Sequence, residues 1–390
     1  MQTIIFFNSI SFWGGGEKLH LEYAEKFVEK GYRVVLFISR NGELDKRCPD
    51  KKFIIEYISI GKLSFLNPVK IASIAYRIAN YGASAIIFSA SQDMKFACIA
   101  GRKAGVKSLV YLRGLAVPVK NNFVNRQLFY NYITHFAMNS LETERCTIGS
   151  FDRQKIQGLI QVIYHGIDLK EFNPENFQVS NFRAGYDGVI IGNAGRLTPQ
   201  KAQIDLIIAA SLLKKKNLNF KILIAGSGDL HDELQKAIRH YHVEDCVTLA
   251  GFIRDIPRFL SNIDVFALTS RWEGFGFVLV ESMALGKPVV AYNLSSNPEI
   301  VSHNQNGFLI SPGNIREFAE GLEKLIVNQQ MRLEMGKQGR TAAENRFEIT
   351  ERVNEFETFI HTPVELKKPV VKKVTKQKTS DKGQRTNYQR

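Results

Sequence analysis

The chain has 390 residues, 44% of them hydrophobic, and a formal charge of +14. That length exceeds one ordinary core and suits two domains, and no uncharged apolar run nears the roughly 20 residues a spanning helix needs, which argues against a membrane-embedded class. Cys48, Cys98, Cys146 and Cys246 lie far apart, without a CxxC or histidine partners at ligand spacing, and read as buried reduced thiols.

The opening MQTIIFFNSISFWGGGEK has neither a basic n-region nor a long apolar h-region, so it reads as a first strand and a cytoplasmic protein is expected. The predicted strands that follow in chain order are TIIFFNS, RVVLFIS, AIIFSA, SLVYLR, HFAMNS and QVIYHG, then GVIIGNAG, KILIAG, VTLAG, DVFALT, PVVAY and GFLI. Amphipathic stretches of helical length separate most of them. Apolar runs without alternation, spaced by helices, indicate parallel strands covered on both faces and hence the α/β class.

The series restarts near residue 188, after the turn-rich GIDLKEFNPENFQVSNFRAGYDG. The expected organisation is a Rossmann-like domain over 1–170, a linker over 171–187 and a second doubly wound domain over 188–345. A helix over 346–362 is expected to pack back towards the first domain, and a basic tail covers 363–390. Ligands of such sheets bind beyond the carboxyl ends of the strands, so the cleft between two facing sheets is the expected site.

Residues 364–390 hold nine Lys/Arg against two acids, a net of +7. Without apolar periodicity this tail is expected to be disordered when free. Each cation near an acidic leaflet contributes about 1 kcal/mol, so the functional reading is a peripheral contact with the cytoplasmic face of an anionic inner membrane. A solvated solubility tail is the plain alternative. No nucleic-acid recognition module accompanies it, so no specific nucleic-acid partner is expected.

Three strand ends carry candidate chemistry. Gly14, Gly15 and Gly16 separate the first strand from the first helix, where glycines let amides approach an anion at a helix amino terminus; a flexible turn with Glu17 as a first-turn acid explains them equally. Arg196 and Lys201, in GRLTPQKA, lie past the first strand of the second domain. Cations at a helix amino terminus conflict with its positive end unless an anion binds there, and Arg and Lys supply a fork and a point charge for phosphate oxygens.

The third strand end is SRWEGFGFVLVESMALG, in which Glu273 precedes Gly274 and Gly276, and Glu281 falls in the following helix. Helix capping is a fair account of Glu281 taken singly and a poorer one of Glu273. Carboxylates at such ends also accept paired hydrogen bonds from vicinal hydroxyls.

From about Ile4 to Phe347, and most densely from Gly192 to Ile310, the chain resembles retaining glycosyltransferases of the GT-B fold, specifically family 4, which includes bacterial lipopolysaccharide and surface-glycan transferases. Glu273 to Glu281 is similar to that family's E-x7-E, GRLTPQKA to its GRL-x-x-x-KG, and Gly15, Gly16 and Glu17 to its GG-x-E. YHGID with His165, SNIDVFALTSRWEGFG and NLSSNPEIVSHNQNGFLISPGN resemble further segments.

The resemblance implies two doubly wound domains facing across a cleft and a hexosyl transfer from a nucleotide-diphosphate sugar to a lipid-linked or surface-glycan hydroxyl. Arg196 and Lys201 would hold the diphosphate, and Glu273 would orient the sugar with the amides of Gly274, Phe275, Gly276 and Phe277. Glu281 would take the ribose, and the loop at Gly15 and Gly16 would close over donor and acceptor. No metal or other cofactor is expected, and the chain contains no D-x-D.

One departure concerns the acceptor side. Many members carry a histidine after the fourth strand, where this chain reads FSASQDMKF with Ser89, Ser91, Gln92 and Asp93. Glu17, Asp93 and Arg113 are the acceptor-side candidates. Three rivals remain: an NAD-dependent dehydrogenase, whose GxGxxG spacing is missing; a nucleotide-sugar isomerase or phosphorylase on the same fold; and a non-catalytic assembly partner.

Overall fold

A computed structural model of the protein describes residues 1–48, 52–177 and 185–366. The first sheet contains β1 (Thr3–Asn8), β2 (Arg33–Ile38), β3 (Ile54–Tyr57), β4 (Ala85–Phe88), β5 (Ser108–Arg113), β6 (His135–Met138) and β7 (Leu159–Val162). They lie in the order β3-β2-β1-β4-β5-β6-β7. The second contains β8 (Val189–Ala194), β9 (Phe220–Ala225), β10 (Val247–Gly251), β11 (Val265–Leu268), β12 (Val289–Tyr292) and β13 (Gly307–Ile310), in the order β10-β9-β8-β11-β12-β13. Every pairing is parallel.

Successive residues of each central strand feed opposite cores. In β1, Ile5 and Phe7 enter one cluster and Ile4 and Phe6 the other. In β8, Val189 and Ile191 pack on one side and Ile190 on the other. Covering both faces with helices removes the need for polar alternation, which is why the strands read as unbroken apolar runs. Each fully buried Phe or Ile stabilises by about 1.5–3 kcal/mol relative to exposure.

β3 is absent from the strands expected from sequence. Its residues Ile54, Ile55 and Glu56 are only partly buried and Tyr57 is exposed at the sheet edge, so its segment lacks the apolar density of the others.

The helix Ile349–His361 places Ile349, Val353, Phe356, Phe359 and Ile360 in the core of the first domain, against Phe6, Phe27 and Leu36. The preceding helix, Gln329–Arg346, gives Ala343 to the second domain. Between them Ile167 N–H donates to Phe347 O at 2.8 Å and Ile349 N–H to Ile167 O at 3.1 Å, so the outgoing and returning chains cross side by side. No helix among the described residues is long and apolar enough to cross a membrane. The basic tail from residue 367 onwards, and residues 178–184 of the expected linker, lie outside the described residues.

In each sheet the strand order reverses direction once, between β1 and β4 and between β8 and β11. Helices leave neighbouring strand ends on opposite faces at such points and open a crevice.

Candidate active site

The crevice of the second sheet lies between the loops that follow β8 and β11. These loops are stitched together by backbone: Arg271 N–H donates to Gln200 O at 2.7 Å, and Thr269 Oγ1 donates to Lys201 O at 3.0 Å. Gln200 Nε2 donates to Trp272 O at 2.8 Å. The result brings Lys201 Nζ to 2.5 Å from Glu273 Oε1, a pair with side chains 18% and 9% exposed. Arg196, from the same loop as Lys201, is exposed. The helix Gln203–Lys214 starts after both cations.

Glu273 is held by main chain as well as by charge. The Ser295 hydroxyl donates to Glu273 O at 2.5 Å and accepts Glu273 N–H at 3.2 Å. Gly276 follows with φ of 80°, a left-handed conformation that glycine adopts freely, and it starts the helix Phe277–Ala284 without a side-chain cap. The amides at that start are therefore available to an anion or a sugar oxygen.

Glu281 does not cap this helix, contrary to the capping alternative from sequence. It sits one turn in, 4% exposed, and accepts from Lys18 Nζ at 3.0 Å. Lys18 belongs to the helix Gly15–Glu29 of the first domain, so this ion pair spans the two domains. Burial pushes the Lys18 ammonium down, but the Glu281 and Glu22 carboxylates outweigh it and leave it raised above its ordinary value. The glycine loop touches the same helix, since a β-carbon on Gly15 would stand 3.1 Å from Phe277 Cε2. His165 packs edge-on against the Phe277 ring at 4.2 Å between centroids.

A second contact between the domains lies at Gly274. A β-carbon there would fall 2.0 Å from Gly114 O, just past β5, so only glycine permits this approach. Ser140 Oγ and Thr143 Oγ1 donate to Gly274 O at 2.8 and 3.2 Å. Glu299 accepts the Leu141 and Glu142 amides at 2.7 and 3.0 Å, at the start of the helix Leu141–Ile148.

Beneath the crevice of the first sheet is a buried polar cluster. Asp93, with no exposure, accepts from Ser9 N at 3.1 Å and Ser9 Oγ at 2.5 Å. Burial pushes its carboxyl up to about 7, against the pull of the Ser9 hydrogen bonds. Glu17, 7% exposed, is also raised by burial. His20, 1% exposed, is pushed down to about 3 by burial, and its Nε2 lies 2.5 Å from Ser89 Oγ. Asp93 was expected at the acceptor surface; it instead lies behind Ser9 as an internal brace. Arg113 is partly buried and donates to Val117 O at 3.2 Å.

The structure thus gathers Lys201, Glu273, Gly274, Gly276, Phe277, Glu281, Gly15 and Gly16 at the junction of the domains, with Phe275 buried behind them. It adds Lys18, Ser295 and Ser140, which sequence reasoning missed. Lys18 directly follows Glu17 in the glycine motif, the one signal that pointed to it. Among the described residues no group of three or more His, Cys, Asp or Glu side chains is placed to hold a metal ion.

Residues 175–342 match the family model for Glycosyl transferases group 1. The second domain is therefore a glycosyltransferase domain, and the architecture is the GT-B fold. The chain is similar to the capsular polysaccharide biosynthesis glycosyltransferase CapM of Staphylococcus aureus, 28% identical over 51% of this chain and 53% of that protein. It is similar also to the Escherichia coli UDP-Gal:alpha-D-GlcNAc-diphosphoundecaprenol alpha-1,3-galactosyltransferase, 28% identical over 66% of this chain and 70% of that one. With CapM and with an uncharacterised glycosyltransferase of Haemophilus influenzae, the chain spans about half the relative's length, 53% and 49%.

Among solved structures, Anabaena Alr3699/HepE in complex with UDP-glucose matches with a TM-score of 0.77 at 24% identity, covering 92% of this chain and all of that one, 100%.

Proposed function

We propose that this chain is a retaining glycosyltransferase of family 4 that moves a hexosyl unit from a nucleotide-diphosphate sugar to a hydroxyl of a lipid-linked or surface-glycan acceptor. The observation that carries the reading is the Lys201–Glu273 pair at the β8/β11 crevice, with the Lys18–Glu281 pair and the glycine loop facing it from the other domain. A phosphate-seeking cation and a hydroxyl-seeking carboxylate stand side by side, as a sugar joined to a diphosphate requires.

In this reading Arg196, Lys201 and the Gly15 and Gly16 amides take up the negative charge that grows on the leaving diphosphate, the role a divalent metal fills in other transferases. Preorganised donors of this kind supply the largest share of catalysis where charge develops in a dry site. Glu273, with the amides of Gly274 to Phe277, orients the sugar hydroxyls, and Glu281 receives the ribose. The C1–O bond to phosphate breaks with its electron pair going to the phosphate oxygen. The acceptor oxygen bonds C1 from the same face, and its proton passes to the departing phosphate oxygen. Domain contact at Gly274 and Phe277 excludes water and limits hydrolysis.

The α-linked product named for the E. coli relative supports retention, and the UDP-glucose named for the Anabaena structure supports a nucleotide-sugar donor. The basic tail supports a cytoplasmic protein resting on an anionic membrane where a lipid-linked acceptor would lie.

Product analysis tests the reading. Purified protein given a panel of α-linked nucleotide sugars with undecaprenyl-diphosphate-linked glycan acceptors is expected to release nucleoside diphosphate and form an α-glycoside. A β product alone overturns retention, and nucleotide-sugar isomerisation without transfer overturns the transferase assignment.

A further inference from the structure

We infer that Ser89 is a sugar-hydroxyl contact of the cleft, held in place by His20 and Asn8. The inference rests on the transferase reading above and concerns the position after the fourth strand where the expected histidine is missing.

The sheet order places Ser89. β4 lies between β1 and β5, and the segments that follow both neighbours touch one turn of the second domain. Gly15, after β1, meets Phe277, and Gly114, after β5, meets Gly274. The segment after β4, which begins at Ser89, therefore lies between these two contacting segments in the sheet order. Ser89 is partly exposed, whereas the residues behind it, Phe88, His20 and Asp93, are buried at 0%, 1% and 0%.

The hydrogen bonds then orient the hydroxyl. Asn8 Oδ1 accepts Ile10 N–H at 3.0 Å, which turns Asn8 Nδ2 towards His20 Nδ1 at 3.4 Å. Nδ2 can only donate, so Nδ1 accepts, and a neutral imidazole carries its proton on Nε2. That N–H donates to Ser89 Oγ at 2.5 Å. Burial keeps the ring neutral, and edge-on packing against Phe6 at 5.6 Å fixes its plane. Ser89 therefore has its own O–H left to donate into the cleft, to a hydroxyl oxygen of the transferred sugar or of the acceptor. A histidine is thus present after all, reaching the fourth strand's end from the first helix and acting through a serine. Ser89 is the contact; His20 and Asn8 are positioning residues.

The test compares Ser89→Ala, Ser89→Thr, His20→Phe and the double variant Ser89→Ala/His20→Phe, with Glu273→Ala as reference. Losing one neutral hydrogen bond to substrate is expected to lower kcat/KM by about tenfold in Ser89→Ala. Ser89→Thr should recover most of it. The melting-temperature rise given by UDP or GDP should persist in every Ser89 and His20 variant, which checks folding and diphosphate binding. His20→Phe should reproduce the loss, and the double variant should lose no more than either single one, because the two residues act through one hydroxyl.

Equal loss in acceptor-free hydrolysis and in transfer assigns the hydroxyl to the donor sugar; loss in transfer alone assigns it to the acceptor. Wild-type kinetics in Ser89→Ala, with Glu273→Ala inactive, overturn the inference and leave the transferase reading standing. Independent, multiplying losses in the double variant overturn the positioning role of His20. A wild type that turns over no nucleotide sugar overturns the transferase reading and this inference with it.

Discussion

Lys201 Nζ and Glu273 Oε1 stand 2.5 Å apart across the crevice between β8 and β11, and each is the other's charge partner in a largely buried setting. Removing either leaves the other with an uncompensated charge. Lys201→Ala is expected to cost about 1–3 kcal/mol of stability, read from urea midpoints, and to lower kcat about 10²-fold or more, as loss of one preorganised charge donor does. Glu273→Gln keeps the shape and hydrogen-bonding capacity, so its stability cost should be smaller while turnover still falls. Unchanged turnover in both variants would remove this pair from the chemistry.

Gly274 makes a different kind of prediction, because its contact is steric. With a β-carbon 2.0 Å from Gly114 O, Gly274→Ala forces the two domains apart at the turn that holds Glu273. A displacement of about 1 Å at a reacting site costs on the order of 10²-fold in rate. We expect such a loss in Gly274→Ala, with nucleoside diphosphate binding by thermal shift retained, since Lys201 and Arg196 belong to the loop after β8 and not to this turn. Near-normal turnover in Gly274→Ala would show that the contact is not needed for catalysis.

The contrast between these residues explains what was legible in the sequence. Strands buried on both faces announce themselves as apolar runs; the partly exposed edge strands β7 and β10 were also readable, and β3 alone was not. Lys201 and Glu273 were readable because each sits in a glycine-punctuated loop directly after a strand. Lys18 and Ser140 were not, because their roles depend on how the two domains meet. Lys18 reaches Glu281 across 263 residues and Ser140 reaches Gly274 across 134, distances over which local pattern carries no information. The partner of Glu281 was hidden for the same reason, since Lys18 lies in the other domain. His20 was overlooked because a histidine was sought only in the segment after the fourth strand.

Lys18→Met removes the ion pair between the domains. Its side chain is 34% exposed, so water screens the pair, and the expected cost is about 1 kcal/mol. The sign of its pH dependence is fixed: a lysine whose folded value is raised contributes stability that is complete below its ordinary value of 10.5 and is lost only as pH rises through the higher folded value. The difference in stability between wild type and Lys18→Met should therefore be level from about pH 6 to about pH 9 and fall with added salt. A difference that changes steeply within that window would assign the pair's energy to another group.

Removal of residues 367–390 takes away all nine of the tail's cations. At about 1 kcal/mol per cation near an acidic leaflet, co-sedimentation with phosphatidylglycerol vesicles should drop sharply in the truncated protein and be salt-sensitive in the full chain. Turnover of a water-soluble acceptor should be unaffected. Equal vesicle binding with and without the tail would leave it a solubility element.

Asp93 and His20 supply opposed pH dependences, stability from the first being lost and from the second gained as pH rises, and a variant at Asp93 isolates the first. The ordinary value of Asp93 is 3.8 and burial raises it to about 7 in the folded chain, so between these values the folded protein holds a proton that the unfolded one has released. Stability from this group is complete below about pH 4, falls by up to about 1.4 kcal/mol per pH unit as pH rises, and levels off above about pH 7. Glu17, raised by burial in the same cluster, adds to the same trend. Asp93→Asn retains an oxygen for the Ser9 amide and a donor for the Ser9 hydroxyl but cannot ionise. Its urea midpoint should exceed that of wild type by a clearly larger margin at pH 8 than at pH 5. Because Ser9 and Asp93 lie behind the cleft surface, turnover should change far less than in Glu273→Gln. A wild-type to Asn difference equal at the two pH values would show that the Asp93 carboxyl does not titrate in this range.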